Sequence, residues 1–148
     1  MSNKVKIIEC PRDAMQGIKS HFISTEDKAN YINALLRVGF DTIDFGSFVS
    51  PKAIPQMRDT ADVLSKLDLS ESKSKLLAII ANVRGANDAT QFEEINYLGY
   101  PFSISENFQM RNTHKTISQS IETLQEILSI ANRSNKEVVA YLSMGFGN

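Results

Sequence analysis

The sequence has little of several features that mark particular classes of protein. Its 148 residues contain one cysteine, no tryptophan and no clear excess of charge, with 16 lysine and arginine residues against 17 aspartate and glutamate residues. One thiol excludes an internal disulfide framework and is typical of a reducing compartment, so we expect a cytoplasmic protein. The balanced charge gives no support to a nucleic-acid partner or to an anionic membrane surface.

Long apolar runs and several familiar motifs are also absent. No run approaches the roughly 18–20 apolar residues that cross a bilayer. A strand-like segment begins directly after residue 4, so we expect no signal peptide. The sequence contains no GxGxxG, P-loop, CxxC or HExxH pattern. The length is that of one ordinary domain with its own core.

Strand-like and helix-like segments alternate along the chain. Apolar residues recur at helical spacing in the segment 25–38, and Gly39 after it permits a left-handed end. Thr116 and Gln119 form a capping-box pattern before another helical segment. The patterns predict helices over 25–38, 55–67, 88–98 and 116–133, and strands over 5–8, 42–45, 76–81, 102–105 and 138–143.

This alternation favours a parallel sheet with right-handed crossovers and strand order 1-2-3-4-5. The strands start about 33 residues apart, so eight units would need about 265 residues, close to the roughly 250 of a (β/α)8 barrel. A small open sheet is the alternative, but it would normally close with a helix, and none follows the last strand. We therefore predict an α/β fold, the first half of a (β/α)8 TIM barrel with about five parallel strands and four helices. Residues 1–148 would be the N-terminal half of that domain.

Polar residues follow or interrupt the first two predicted strands. Arg12 and Asp13 come just after the first strand. There a carboxylate can hold a hard divalent cation, and a guanidinium can stabilise an oxyanion or an enolate. An exposed ion pair between these neighbours is the alternative. Asp44 lies inside the apolar second strand, and because buried carboxylates are rare unless paired, we expect it either to pair with Arg12 or to face outward.

The loop after the second strand is rich in proline, hydroxyl groups and positive charge. Ser47, Ser50 and Lys52 could bind a carboxylate or a phosphate, although serine and proline are also ordinary turn residues. Polar residues also follow or end the last three predicted strands: Asn82, Ser105 and Ser143. Because the carboxyl ends of parallel strands are where such folds place their chemistry, this recurrence predicts one site.

The cysteine and the two histidines are expected to have no catalytic role. Cys10 lies close to a strand and is interpreted as a core residue rather than a nucleophile. His21 and His114 stand in polar loops and lack the His-x-His spacing of a metal-binding strand. We therefore expect both imidazoles at the surface.

Motifs at five strand ends carry a family resemblance. Residues 7–16 read Ile-Ile-Glu-Cys-Pro-Arg-Asp-Ala-Met-Gln, and residues 47–52 read Ser-Phe-Val-Ser-Pro-Lys, followed by Pro55-Gln56-Met57. Later strand ends carry Asn82 with Arg84-Gly85, Ser105-Glu106-x-Phe108, and Tyr141-x-Ser143. In this order the segments resemble the hydroxymethylglutaryl-CoA lyase family, with its Pro-Arg-Asp-Gly-Leu-Gln, Ser-Phe-Val-Ser-Pro, Asn-x-Lys-Gly and Ser-Glu-x-Phe motifs.

The resemblance implies a (β/α)8 barrel that cleaves 3-hydroxy-3-methylglutaryl-CoA to acetyl-CoA and acetoacetate with Mg²⁺ or Mn²⁺. By resemblance, Asp13 would be a metal ligand and Arg12 would stabilise the thioester enolate. Asp44 would take the place of a catalytic-site glutamate, and Gln16 and Ser47 would line the acyl site. The acyl-CoA substrate would be the principal partner.

The sequence departs from the family pattern at several places. Ala14 replaces a glycine, Asp44 is one methylene shorter than the family's glutamate, and Cys10 stands where the family has two residues. The family's later His-x-His metal ligands and its glycine-rich loop with a cysteine have no counterpart in the 148 residues. We therefore expect the intact protein to be the lyase and the 148-residue chain alone to be inactive.

Two alternatives stay open from the sequence. One is a related barrel that condenses a 2-oxo acid with acetyl-CoA. The other is a non-catalytic half-barrel that associates with itself, because an isolated half would leave two strand edges unpaired. On the same ground we expect a homo-oligomer.

Overall fold

A computed structural model describes residues 5–147. It contains five strands: β1 (Ile8–Glu9), β2 (Thr42–Ser47), β3 (Lys75–Ile79), β4 (Ile95–Ser103) and β5 (Glu137–Ser143). The strand order is β1-β2-β3-β4-β5, and the pairs β1–β2 and β4–β5 are parallel. The predicted α/β class and strand order are confirmed.

Six α-helices and one short 3-10 helix connect the strands of the described chain. The helices are α1 (Pro11–Gln16), α2 (Thr25–Val38), α3 (Thr60–Leu64), α4 (Val83–Ala89), α5 (Glu106–Thr113) and α6 (Ile117–Arg133), and the 3-10 helix η1 is Pro55–Met57. The chain forms two compact units, one up to Leu77 and one from Ala78 onward, so that β3 contributes to both. Among residues 5–147, no helix is long and apolar enough to cross a membrane.

In the first unit, α2 begins and ends where the sequence predicts. The Ser24 hydroxyl accepts a hydrogen bond from the backbone N–H of Asp27 (3.0 Å), and this bond caps the helix. Gly39 ends it with a φ of +87°, a conformation that costs glycine little. The apolar face of the helix is buried: Ala29, Ile32 and Leu36.

Strand β2 is buried along all six of its residues, and so it lies at the centre of the first unit. A side chain at Gly46 would not fit, because its Cβ would lie 2.5 Å from Cγ2 of Thr60. This close approach lets the Thr60 hydroxyl accept a hydrogen bond from the backbone N–H of Ser47 (3.0 Å). The carboxyl end of β2 is thereby fixed to the start of α3.

The first unit differs from the prediction at three places. The first strand is Ile8–Glu9 rather than 5–8, and Val5 is 85% exposed. The polar stretch after β1 forms the short helix α1, which the sequence analysis did not predict. The predicted helix 55–67 is split into η1 and α3, because side chains take carbonyls that a continuous helix would use: the Thr60 hydroxyl donates to Met57 O (2.8 Å).

In the second unit, the predicted helix 88–98 was wrong. Helix α4 ends at Ala89, and residues from Ile95 onward form β4, which reaches Ser103. Ile95, Leu98 and Tyr100 are buried in this strand. Gly99, just beyond the predicted helix, lies inside the strand opposite Val139 of β5. The predicted fourth strand, 102–105, covers only the last part of β4.

Helix α6 confirms its predicted capping box. The Thr116 hydroxyl accepts from Gln119 N–H (3.1 Å), and the Gln119 side chain accepts from Thr116 N–H (3.0 Å). Ile127 and Ile130 on its apolar face are buried. Helix α5 was not predicted, because its residues are mostly polar and give no apolar periodicity.

Candidate active site

The centre of the site is a buried ion pair between α1 and β2. Arg12 Nη2 lies 2.6 Å from Asp44 Oδ2, and Arg12 Nε donates to both carboxylate oxygens at 3.1 and 3.2 Å. The Asp44 side chain is fully buried and Arg12 is 8% exposed. This two-point geometry matches the planar guanidinium to the carboxylate. Asp44 therefore pairs with Arg12 as one interpretation predicted, and the outward-facing alternative is wrong.

Asp13 and Gln16 extend this pair along α1. Asp13 Oδ1 accepts hydrogen bonds from Arg12 Nη1 (3.1 Å) and from Gln16 Nε2 (2.9 Å). The Asp13 side chain is 65% exposed, so its carboxylate is open to solvent while its orientation is fixed. Gln16 Oε1 is buried and has no hydrogen-bond partner within the described chain. The structure thus brings together Arg12, Asp13, Gln16 and Asp44.

A divalent cation was predicted at this site, with Asp13 as a ligand. An exposed carboxylate is the hard oxygen ligand that Mg²⁺ and Mn²⁺ prefer. Among the described residues, no group of three or more histidine, cysteine, aspartate or glutamate side chains is arranged to hold a metal. Asp13 fits as one ligand of such an ion, because its carboxylate is exposed and is oriented by Arg12 and Gln16.

Cys10 occupies the N-cap position of α1, beside the pair, and its side chain makes no capping hydrogen bond. Its thiol is half-buried, and the site raises its pKa, chiefly through burial and next through the nearby Asp44 carboxylate, while Arg12 opposes the rise. The thiol therefore stays protonated to higher pH than a free cysteine. A nucleophilic role, which the sequence made less expected than a core position, would need the opposite shift of the pKa.

We expect alkylation of Cys10 by iodoacetamide to follow a pH profile with a midpoint above that of the unfolded chain. Only the thiolate reacts, and the folded environment disfavours the thiolate. The folded chain should also lose stability as the pH rises above the unfolded pKa of the thiol, since only the unfolded state then ionises freely. The measurement is the rate of labelling against pH, with the chain in concentrated urea as the reference. Equal midpoints in the two states would contradict the expectation, and comparing midpoints removes any difference in access.

Ser47 at the end of β2 and Ser50 in the following loop form hydrogen bonds that stabilise turns in the first unit. The Ser47 hydroxyl accepts from Val49 N–H (3.1 Å) and the Ser50 hydroxyl accepts from Lys52 N–H (3.3 Å). These bonds are typical of turn-forming serines. Ser47 is buried, whereas Lys52 is exposed. Binding by these three residues stays a prediction.

In the second unit, two of the predicted site residues cap helices and the third accepts a hydrogen bond from the neighbouring strand. The Asn82 side chain accepts from Gly85 N–H (2.9 Å) at the start of α4, and the Ser105 hydroxyl accepts from Phe108 N–H (3.4 Å) at the start of α5. The Ser143 carbonyl accepts from the Ser103 hydroxyl (2.8 Å). A role of these residues in binding likewise stays a prediction.

The sequence analysis missed a polar cluster beside the site in the first unit. Lys28 Nζ lies 2.7 Å from Asp59 Oδ1, and both side chains are buried. Lys28 precedes the buried Ile32 by one helical turn and so lies on the apolar face of α2. A lysine at such a position indicates a buried partner of opposite charge, and this pattern was present in the sequence. His21 in the first unit and His114 in the second unit are both exposed, which confirms the surface prediction for both.

A pocket of about 530 Å³ lies in the first unit between the segment after α1 and the segment around η1. Its lining includes Gln16, Lys19, His21, Phe22, Ile54 and Arg58. Gln16 belongs both to this pocket and to the polar group around Asp13. The sequence analysis did not predict the pocket, because its two walls are about 35 residues apart in the chain and meet only in the fold.

The parallel strands, the intervening helices and the arginine–carboxylate pair beside β2 define an α/β chain of the barrel-enzyme class. Comparison with known proteins narrows this class. The chain is 38% identical over 145 residues to a hydroxymethylglutaryl-CoA lyase of Bacillus subtilis. The aligned region covers 97% of this chain and 48% of that relative. It is 33% identical over 150 residues to the mitochondrial hydroxymethylglutaryl-CoA lyase of Macaca fascicularis, covering 99% of the chain and 45% of the relative. No protein-family model matches the sequence.

Solved structures give the same result. The crystal structure of the Bacillus subtilis HMG-CoA lyase superposes with a TM-score of 0.89 at 38% identity, over 98% of this chain and 48% of that one. An HMG-CoA lyase from Acinetobacter baumannii, in complex with coenzyme A and 3-methylmalate, gives 0.86 at 31% identity, over 96% and 46%. The resemblance to hydroxymethylglutaryl-CoA lyases is confirmed along almost the whole chain, as is the fold class of half a TIM barrel. The chain spans about half the length of the curated relatives it matches.

Proposed function

We propose that the chain is part of a carbon–carbon lyase that cleaves 3-hydroxy-3-methylglutaryl-CoA to acetyl-CoA and acetoacetate. Its similarity to relatives named hydroxymethylglutaryl-CoA lyase supports the reaction class. The observation that carries the proposal is the buried Arg12–Asp44 pair beside an exposed carboxylate. In a retro-Claisen cleavage the departing thioester enolate develops negative charge, which a fixed cation such as the Arg12 guanidinium can stabilise.

Arg12 is the residue proposed to act on the enolate. Its guanidinium is held by Asp44 through Nε and Nη2, and Nη1 points to Asp13. A cation fixed in this way needs no reorganisation when charge develops on the substrate. Asp44 is thus proposed to act through Arg12 and to take the place of a glutamate in the family.

Asp13 is proposed to hold a divalent cation, Mg²⁺ or Mn²⁺, together with ligands outside residues 5–147. When bound, such an ion polarises a substrate oxygen and orients the substrate. The carboxylate is suited to this because it is exposed and is oriented by Arg12 and Gln16. Gln16 Oε1 is a buried acceptor without a partner in the described chain, and it is proposed to accept a hydrogen bond from the substrate.

The remaining predicted residues are proposed to contact the acyl-CoA substrate. Lys52 is an exposed cation, Ser50 lies two residues before it in the same loop, and Ser47 ends the buried strand β2. Asn82, Ser105 and Ser143 occupy corresponding positions at or just beyond the carboxyl ends of β3, β4 and β5. Ligands of parallel α/β folds bind at such ends. We propose that the protein binds neither nucleic acid nor a membrane. We also propose a cytoplasmic location, because a single cysteine is typical of a reducing compartment.

The test joins residues 1–148 to the complementary half of the Bacillus subtilis lyase. With Mg²⁺ the fusion protein should release acetoacetate from hydroxymethylglutaryl-CoA, whereas the 148-residue chain alone should not. Formation of free CoA from a 2-oxo acid and acetyl-CoA, without acetoacetate release, would instead identify a condensing synthase. A folded fusion protein that is inactive in both assays would refute the proposed function.

We also propose that the chain forms a homo-oligomer. In the second unit, β5 pairs with β4 and carries Leu142, which is 62% exposed, and Phe146 beyond it is fully exposed. Exposed apolar surface costs about 25 cal/mol per Å² in water, and β5 has no proline to discourage pairing with another chain.

The mass of the chain in solution is therefore expected to rise with concentration. Light scattering over a concentration series measures this. The matched variant Leu142→Lys should have a mass closer to that of the monomer at each concentration, because a lysine on an edge strand opposes pairing with another chain. A monomer of constant mass in both proteins would contradict the prediction.

A further inference from the structure

One buried side-chain amide, that of Gln56 in η1, binds three backbone groups of the segment that follows α1. Its Nε2 donates to the carbonyl oxygens of Ile18 (2.9 Å) and His21 (3.1 Å), and its Oε1 accepts from the N–H of Ile23 (2.9 Å). Gln56 is 4% exposed. Both ends of the amide are therefore engaged where water cannot easily replace a lost bond.

A second set of contacts holds η1 and the same segment together. Lys28 Nζ donates to the backbone carbonyl of Gln56 and forms an ion pair with Asp59 at 2.7 Å. The Phe22 ring lies between two cations, with Lys28 Nζ 3.9 Å and Arg58 Cζ 3.8 Å from its centroid. These contacts leave the position of Gln56 little freedom, so the amide is a fixed anchor for the segment.

The anchored segment begins directly after the site. Gln56 binds the carbonyl of Ile18, and only Gly17 separates Ile18 from Gln16. Gln16 in turn donates to Asp13 and places its Oε1 in a buried position without a partner in the described chain. Ile18 is also tied to the helix that carries Gln16, because its backbone N–H donates to the carbonyl oxygen of Met15 (3.0 Å) in the last turn of α1. The orientation of Gln16 at the end of that helix therefore depends on what holds Ile18.

We propose that Gln56 is a positioning residue for Gln16. Its amide fixes the segment from Ile18 to Ile23 and so holds Gln16, a residue of the pocket wall whose buried Oε1 has no partner in the described chain, in one orientation. The group that this acceptor would meet is a hydrogen-bond donor of the bound ligand, a hydroxyl or an amide N–H. The ligand contact rests on the proposed function, whereas the positioning is a property of the 148-residue chain itself.

The test is the Gln56→Met variant of the 148-residue chain, which keeps the volume of the side chain and removes its hydrogen bonds. Hydrogen exchange of the Ile23 amide, followed by NMR, should become about tenfold faster or more, the effect of losing one buried hydrogen bond. The side-chain NH₂ resonances of Gln16 should shift or broaden at the same time. Unchanged Ile23 exchange or unchanged Gln16 resonances would overturn the proposal.

Asn33→Leu is the matched control. Asn33 is another side-chain amide that ties a loop within the first unit, through Lys66 O (3.1 Å) and Asp68 N–H (2.8 Å). This variant should accelerate exchange at Asp68 and leave Ile23 and Gln16 as they are. An equal response of Gln16 to both variants would reduce Gln56 to a general stabilising role and overturn the proposal.

A measurement on the unaltered chain keeps the proposal testable if Gln56→Met does not fold. The side-chain NH₂ protons of Gln56 should exchange at least about tenfold more slowly than those of Gln91, an exposed glutamine. Similar exchange rates for the two side chains would show that the anchor opens freely, which would overturn the proposal. Neither measurement involves turnover, so its failure is distinct from a failure of the proposed lyase activity.

Discussion

Replacing Asp44 by asparagine is expected to lower the free energy of unfolding of the chain by about 3–5 kcal/mol, the usual cost of removing one partner of a buried ion pair. Asp44 accepts three short contacts from Arg12, and both side chains are removed from solvent. An asparagine fits the space but carries no charge, so the buried Arg12 guanidinium would keep only the exposed Asp13 carboxylate as a counter-charge. Urea unfolding followed by circular dichroism measures the change.

Glu26→Gln is the control for Asp44→Asn, because it breaks an ion pair at the surface. The Glu26–Lys66 pair is as short as 2.7 Å, yet its side chains are 67% and 42% exposed. An exposed pair contributes only about 0–1 kcal/mol, so the control should change stability little. A loss for Asp44→Asn as small as that for Glu26→Gln would contradict the view that the buried pair holds α1 to β2.

Replacing Arg12 by glutamine is expected to lower kcat about 10²–10³-fold in the fusion protein, the effect of removing one group that stabilises developing negative charge. Glutamine can still donate to Asp44 but lacks the fixed positive charge. KM should change much less, because the proposed contact strengthens mainly in the transition state. Steady-state assays of acetoacetate release give both constants, and circular dichroism establishes that the variant is folded.

Two further variants sharpen the Arg12 experiment. Arg37→Gln removes an exposed arginine at the end of α2 and should leave kcat unchanged. Arg12→Lys keeps the charge but loses the two-point fit to Asp44, so it should fall between glutamine and the unaltered protein. Unchanged turnover in Arg12→Gln would remove this residue from the mechanism.

The helices that the sequence predicted well are those with both a cap and an apolar face. Helix α2 has the Ser24 cap, a buried stripe and Gly39, and helix α6 has a capping box and the strongest apolar periodicity of the chain. Each of these signals acts over a few neighbouring residues. They could therefore be interpreted from the sequence without knowledge of the fold.

The elements that were predicted wrongly depend on distant contacts. The segment 95–98 was predicted as helix, but residues Tyr97–Ser103 pair in register with Glu137–Ser143. That pairing, and the burial of Ile95 and Tyr100, outweigh the local helical preference. Helix α1 is too short to show an apolar period, and its Arg12 is held by Asp44, which lies 32 residues later in the chain.

Periodicity and motifs alone were enough to predict the α/β class, the resemblance to hydroxymethylglutaryl-CoA lyases and the candidate residues of the site. The inward orientation of Asp44, the exposure of Asp13 and the anchoring of the segment after α1 by Gln56 depend on contacts that form only in the folded chain. The parallel register that sets Ile8 beside Thr42 brings Arg12 to Asp44. A buried carboxylate is tolerated only with such a partner, and the partner is chosen by the fold rather than by neighbouring residues.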